Sequence, residues 1–207
     1  QQGLFNLNSL VRAGKTSASD LAVFRKLLEL LQLSPDLAGA VADWIDPDFE
    51  VTYPGGAEDM VYLALDPAYR AANRALTTVD GLARLKGFDA ETIERLRPFV
   101  TALPQPTTLN VNTAPAEVLA AAIADLSLDQ ARALVNARKG RHFKDISDFR
   151  ARLPETVKQV NDVVLGVSSH YFLVSGRARF GRAKVGYAAL LQREATAWPK
   201  LVWQKNI

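Results

Sequence analysis

The sequence predicts an α+β fold in which a helical block over residues 14–166 is inserted between short β elements at residues 1–13 and 167–207. Three observations predict it. From Ser19 onward, apolar residues recur at helical spacing behind N-cap residues. After Ser168 the texture changes to two alternating runs, Tyr171–Phe180 and Ala183–Gln192, with Gly181-Arg182 between them as a hairpin turn. At the other end, Gly3–Val11 sets Leu4, Asn6 and Asn8 against Phe5 and Leu7, the alternation of a short strand with one wet face.

Each element follows from local chemistry. Gly14-Lys15-Thr16 resembles the end of a phosphate-binding loop, but Ser9 stands where that motif needs its first glycine, so it reads as a turn before a helix. Ser19 or Asp20 caps that helix, and Leu21, Phe24, Leu27, Leu28 and Leu31 line its inner face. Ser34-Pro35 opens a second helix with Leu37, Val41, Trp44 and Ile45 inward, and Asp46-Pro47 ends it because a residue before proline avoids the α region. Met60–Leu65 and Asp66–Arg74 read as short helical turns separated by Pro67, and Thr78–Lys86 as a brief helix closed by Gly87. Asp89 caps the helix carrying Ile93, Leu96 and Val100, and Pro104 and Pro106 mark a connector.

Leu109–Thr113 repeats the pattern of Phe5–Ser9, so the two segments are expected to pair or to occupy related positions. A helix then starts at Thr113 with Pro115 in its first turn. Ser127-Leu128-Asp129-Gln130 is a capping box for a helix ending at Gly140. Asp145 or Ser147 caps a turn with Ile146, Phe149 and Leu153 inward, Thr156–Leu165 makes a last helix, and Leu201–Trp203 adds an edge strand.

Composition bounds the function. With 48% apolar residues in 207 there is ample material for a core, and the absence of cysteine excludes disulfides and thiolate metal sites. No apolar run approaches the roughly 18 residues of a membrane span. The Gln1-Gln2-Gly3 start has no signal-peptide character and reads as a mature or truncated chain. His142 and His170 stand alone, no HExxH is present, and Gly166-Val167-Ser168-Ser169-His170 lacks the last glycine of a serine elbow. The expectation is a protein that is not an enzyme. From Ser168 onward seven basic residues face one acid, which suits an acidic partner or nucleic acid; the alternation instead sets them on a solvated strand face, the reading adopted.

The chemistry concentrates between Trp44 and Asn73. Residues 27–69 hold nine acids and no Lys or Arg. Asp46, Asp48, Glu58 and Asp59 flank a Pro54-Gly55-Gly56 turn that folds the chain back and draws carboxylates together; they repel unless a proton or cation intervenes. Ca²⁺, with six to eight oxygen ligands, is the natural neutraliser. Asp46, Asp48 and Glu50 mimic the first three ligands of an EF-hand, but Val51 replaces its glycine and Ala57 its last glutamate, so this is not one. Two readings stay open on the residues alone: a non-EF site using side chains and turn carbonyls, or solvated acids with Asp46 and Asp59 capping helices.

Two resemblances bear on function. Residues 119–153, with Asn112-Thr113-Ala114 before them and Ala133, Ala137-Arg138, Phe143 and Phe149 within, resemble a helix-hairpin-helix module, the alternative reading being nucleic-acid binding. The hairpin here, Ala124-Asp125-Leu126-Ser127, lacks the glycines that would present N–H groups to phosphate and carries an acid.

The wider resemblance spans nearly the whole chain. Trp44, Asp46, Gly56-Ala57-Glu58-Asp59, Tyr62, Pro67, Tyr69-Arg70, Asn73, Leu76, Gly87 and Asn110–Ala114, with Phe5–Asn8 and Ser168–Phe180, resemble the minor pseudopilin K family of type II secretion systems. Asp66-Pro67-Ala68-Tyr69 departs from the double proline often found there. The resemblance implies pilin-like β elements with a large inserted α-helical domain, the N-terminal pilin helix and its peptidase site being absent from this stretch. It implies a periplasmic domain of an inner-membrane-anchored protein, placed at the pseudopilus tip with minor pseudopilins I, J and H and supporting export of substrate proteins. It also implies Ca²⁺ in the α-domain, with Glu58 and Asp59 the best matched ligands, Asp46 and Asp48 next, and Asp43 weaker.

Overall fold

Two Asn-x-Asn segments pin the chain together. The computed structural model describes residues 1–157, 164–194 and 197–207. Strand β1 (Phe5–Asn6) pairs in parallel with β4 (Val100–Thr101). The predicted strand does not continue past Asn6, because its side chain accepts the Asn8 N–H at 3.2 Å and turns the chain into a 3₁₀ helix over Leu7–Leu10, a local bond that competes with the ladder. The Asn8 amide then donates to the carbonyls of Leu76 and Leu103, both at 2.8 Å, and accepts the Leu76 N–H at 2.8 Å.

The second segment repeats the device. Strand β5 (Leu109–Asn110) pairs in parallel with β6 (Leu165–Gly166), and Asn110 accepts the Asn112 N–H at 2.9 Å. Asn112 clamps the Phe143 backbone through both its oxygen and its nitrogen, each at 2.8 Å. The two segments therefore occupy related positions rather than pairing with each other.

Between these clamps the helical block forms in sequence order. The hairpin β2 (Val11–Arg12) to β3 (Lys15–Thr16) turns at Ala13 and Gly14, both with positive φ, as a two-residue hairpin requires. Helix α1 (Ala18–Leu30) starts earlier than predicted: Ser17 is its cap, accepting the Asp20 N–H, with Ser17 Oγ donating to Asp20 Oδ2 at 2.6 Å. Helix α2 (Leu37–Ile45) ends where Asp46 turns extended before Pro47. Only α3 (Asp59–Tyr62) forms in the next stretch. Asp66–Arg74 is not helical: Asn73 sits at φ 45°, and the Asp59 carboxylate captures the Ala71 N–H at 2.9 Å. Thr78–Lys86 shortens to a 3₁₀ helix over Val79–Arg84, with Gly87 at φ 83° closing it.

Helix α4 (Ala90–Leu96) has its predicted Asp89 cap, α5 covers Ala116–Ala122, α6 (Leu128–Gly140) its capping box, and α7 (Ile146–Arg150) its Asp145 cap. The helix expected over Thr156–Leu165 lies mostly outside the described residues. One core gathers α1, α2, Tyr62 and α4 around Phe24, which stacks on Phe5 at 5.1 Å. A second gathers α5, α6 and α7 around Phe143 and Phe149, edge to face at 4.9 Å. Leu30 and Leu109 pack against both.

The C-terminal strands form an antiparallel sheet in the order β7 (Tyr171–Phe180), β8 (Ala183–Gln192), β9 (Lys200–Asn206). Its hairpin turns at Gly181-Arg182 as predicted, and the edge strand is longer than Leu201–Trp203. Tyr171 and Leu190 pack on Leu103, while the opposite face leaves Phe172, Val174 and Val185 exposed. The Gln1 backbone nitrogen donates to the Tyr171 carbonyl at 2.8 Å, and Lys205 pairs with Asp80, tying the sheet to the helical block. Among the described residues no helix is long and apolar enough to cross a membrane.

Candidate functional site

Helix α2 is buried on every side because the loop over residues 47–58 wraps it. That places two carboxylates inside: Asp43 is 0% exposed and Asp46 2% exposed, and Glu58, just before α3, is 5% exposed. Both Asp43 oxygens accept the Thr52 N–H, at 3.0 and 3.2 Å. Asp46 Oδ2 accepts the Thr16 hydroxyl at 3.0 Å, but Asp46 Oδ1 and both Glu58 oxygens are buried with no hydrogen-bond partner. A buried carboxylate without a partner is costly, so it holds a proton or a cation.

The electrostatics say the same. Burial first, then the charges of Asp43, Asp46 and Asp48, pushes Glu58 up to about 7. Burial raises Asp46 to about 6 against the Thr16 hydrogen bond, with Asp48 and Asp43 adding to the rise. Asp43 is raised too, mainly by burial, with the Thr52 bonds opposing.

The loop approaches closely. A Cβ on Gly39 would lie 2.6 Å from the Pro54 carbonyl oxygen and 2.7 Å from that of Thr52, and one on Gly56 would lie 2.3 Å from Asp43 Oδ2. Only glycine lets loop carbonyls and acids crowd this way.

Of the four acids expected at the site, Asp46 and Glu58 both feel the charge of Asp48, and Asp43 acts on both from the centre. Asp48 sits at the exposed rim, accepting the Glu50 N–H at 2.8 Å. Asp59 is engaged elsewhere, accepting from Ala71 and lying 3.6 Å from Arg70. Among the described residues no three carboxylate or imidazole groups converge at metal-ligand spacing. Three oxygens of this cluster, Asp46 Oδ1 and both of Glu58, are buried, partnerless carboxylate oxygens, the donor type a hard cation takes. Asp43 carried little weight in the sequence because it sits inside a helix; the helical pattern there gives no sign that a loop covers that face.

In the helix-hairpin-helix stretch Ala124, Asp125 and Ser127 are exposed at the turn, while Leu126, Ala131 and Leu134 face the core. Asp125 takes φ 60°, the position that glycine fills in such hairpins, and Arg138 donates to the Val111 carbonyl at 2.6 Å. Nothing in this geometry favours the nucleic-acid alternative.

A buried acid cluster in a helical block, with an antiparallel sheet attached, makes this an α+β domain. Residues 3–105 and 109–168 match two profiles, both described as type II secretion system protein K. A type II secretion system protein K of Pseudomonas aeruginosa is 38% identical over 195 residues, covering 92% of this chain and 58% of that protein. One from Klebsiella pneumoniae is 34% identical, covering 93% and 64%. A chain of the crystallised GspK–GspI–GspJ complex from the type 2 secretion system of enterotoxigenic Escherichia coli matches with TM-score 0.84 at 26% identity, covering 99% of this chain and 76% of that one. The chain belongs to the type II secretion system protein K family, a family of secretion-system components. It spans less than two thirds of the length of these curated relatives.

Proposed function

We propose that this chain is the assembly domain of a minor pseudopilin that caps the tip of the type II secretion pseudopilus. On this reading it works in the periplasm, with its inner-membrane anchor outside these 207 residues. It associates with minor pseudopilins I and J, and with H, to support export of substrate proteins across the outer membrane. The mechanism is steric and associative rather than enzymatic: the helical block obstructs addition of further subunits, and the sheet side joins the partners. The observation that carries this reading is the likeness over 99% of the chain to a subunit crystallised with two such partners.

The test is co-elution of this chain with the soluble domains of I and J from the same bacterium. A ternary peak is expected. Separate elution of all three at micromolar concentrations, with and without Ca²⁺, would overturn the reading.

The acid pocket is proposed to hold Ca²⁺ through Asp43, Asp46 and Glu58, with Asp48 at the rim and the carbonyls of the 52–56 turn beside them. Asp59 is assigned a positioning role, fixing the Ala71 backbone next to the pocket. The partnerless oxygens of Asp46 and Glu58 support this assignment. The ion would supply the positive charge that closes the loop onto α2. A melt in EGTA and then in added Ca²⁺ tests it: the midpoint should rise, and Asp46→Asn/Glu58→Gln should lose the rise.

A further inference from the structure

A cleft of the opposite charge has Trp44, one residue beyond the buried Asp43, in its wall. It has a volume of about 630 Å³ and is lined by Trp44, Tyr69, Ala72 and the guanidinium-bearing Arg70, Arg74 and Arg84. Tyr69 packs edge-on to Trp44 at 6.3 Å and donates its hydroxyl to the Arg84 carbonyl at 2.8 Å, which fixes one wall.

The arginines are almost unused by the fold. Among the described residues Arg70 has only the long 3.6 Å pairing with Asp59, and its side chain is 75% exposed. The guanidiniums of Arg74 and Arg84 have no ion pair or hydrogen bond among the described residues. Asp80, on the adjoining rim, is already taken by Arg97 at 2.9 Å and by Lys205. Like charges gathered around a concave, aromatic-walled site raise the local potential and favour an anionic visitor.

We propose that this cleft binds an acidic peptide segment of a partner protein. Guanidinium forks match carboxylates in two-point geometry, and Arg beside Trp and Tyr is the residue set that dominates protein interfaces. The cleft is too large to be filled by one small anion. A nucleobase is disfavoured because the aromatic faces are spent on each other: Tyr62 and Tyr69 stack at 5.4 Å, and Trp44 sits edge-on to both. The site shares no ligand with the proposed cation pocket, so it stands or falls separately from it.

The test is fluorescence anisotropy on the whole chain with a labelled Gly-Ser-Glu-Glu-Leu-Glu-Gly peptide. Its Gln counterpart, inorganic phosphate and a single-stranded oligonucleotide serve as the other arms. Saturable binding of the Glu peptide at low salt is expected, with little binding of the Gln peptide. The Arg74→Ala/Arg84→Ala variant should weaken it about tenfold or more while melting like the parent. If that variant melts lower, Arg84→Gln alone is read in its place. Equal binding of the two peptides, or undiminished binding by the variant, would overturn the proposal. So would full displacement by millimolar phosphate, or tighter binding of the oligonucleotide, since the site would then recognise small anions or nucleic acid.

Discussion

Glu58 and Asp46 make the metal-free protein sensitive to pH in an unusual direction. Their folded values, about 7 and about 6, lie above those of free carboxyls because burial and neighbouring acids disfavour the charge. From about pH 4, where free carboxyls titrate, up to about 7, the folded state therefore binds more protons than the unfolded one. Stability in EGTA should be greatest near the acid end of that window and fall as pH rises through it. Melts in EGTA across pH 5 to 8 check this, and a rising midpoint would contradict the buried, unneutralised pocket. On the proposed Ca²⁺ reading the fall should vanish with the ion present, because carboxylate ligands must be deprotonated to bind it. Asp46→Asn should flatten the EGTA profile. A second residue-scale prediction concerns Asn8. Its removal leaves the Leu76 N–H and two buried carbonyls without partners, at roughly 1–3 kcal/mol each, so Asn8→Ala should cost about 3 kcal/mol or more in urea unfolding. The repeat of Asn6-Leu7-Asn8 in Asn110-Val111-Asn112 was legible in the sequence. The clamps were not, because their backbone partners lie 68 and 31 residues away.

At the scale of elements, legibility followed the local chemistry. Caps written in side chains that bond three residues ahead, at Asp89, Ser127 and Asp145, were readable and are present. The 66–74 stretch was misread as helical because its conformation is dictated from outside, by Asp59 reaching the Ala71 N–H. The same dependence hides the arginine cleft, whose walls come from α2, this irregular stretch and the 3₁₀ turn. Helix α2 offers a test in which two effects oppose. By propensity, Gly39→Ala should stabilise a helix interior by about 1 kcal/mol. Here the added Cβ meets two loop carbonyls at 2.6 and 2.7 Å, and backbone cannot rotate away as a side chain would. Overpacking of this kind typically costs about 1–3 kcal/mol, so the clash should win and the variant should be less stable by about 1 kcal/mol. A calorimetric midpoint above the parent's would show that the loop stands farther from α2 than described.

For the whole molecule the question is whether two cores behave as one. The acid pocket belongs to the first core, yet Leu30 and Leu109 pack against both cores, and Lys26 on α1 donates to the Ile123 carbonyl at the end of α5. The Gln1 backbone nitrogen and Lys205 bind the sheet to the same body. Contacts of this kind transmit stabilisation, so the Ca²⁺ proposed for the first core should protect the second. At a free concentration a hundredfold above its Kd, an ion that binds only the folded state adds about 2.7 kcal/mol. For a domain of this size each kcal/mol is worth roughly 2–4 °C, so the melt should shift by roughly 5–11 °C. Calorimetry should show one transition moving as a unit, and hydrogen exchange should slow at Leu134 and Phe149 as well as near Trp44. A trace that splits, with only its first part moving, would mean that the helical block is two independently stable cores and that the Leu30–Leu109 seam does not couple them.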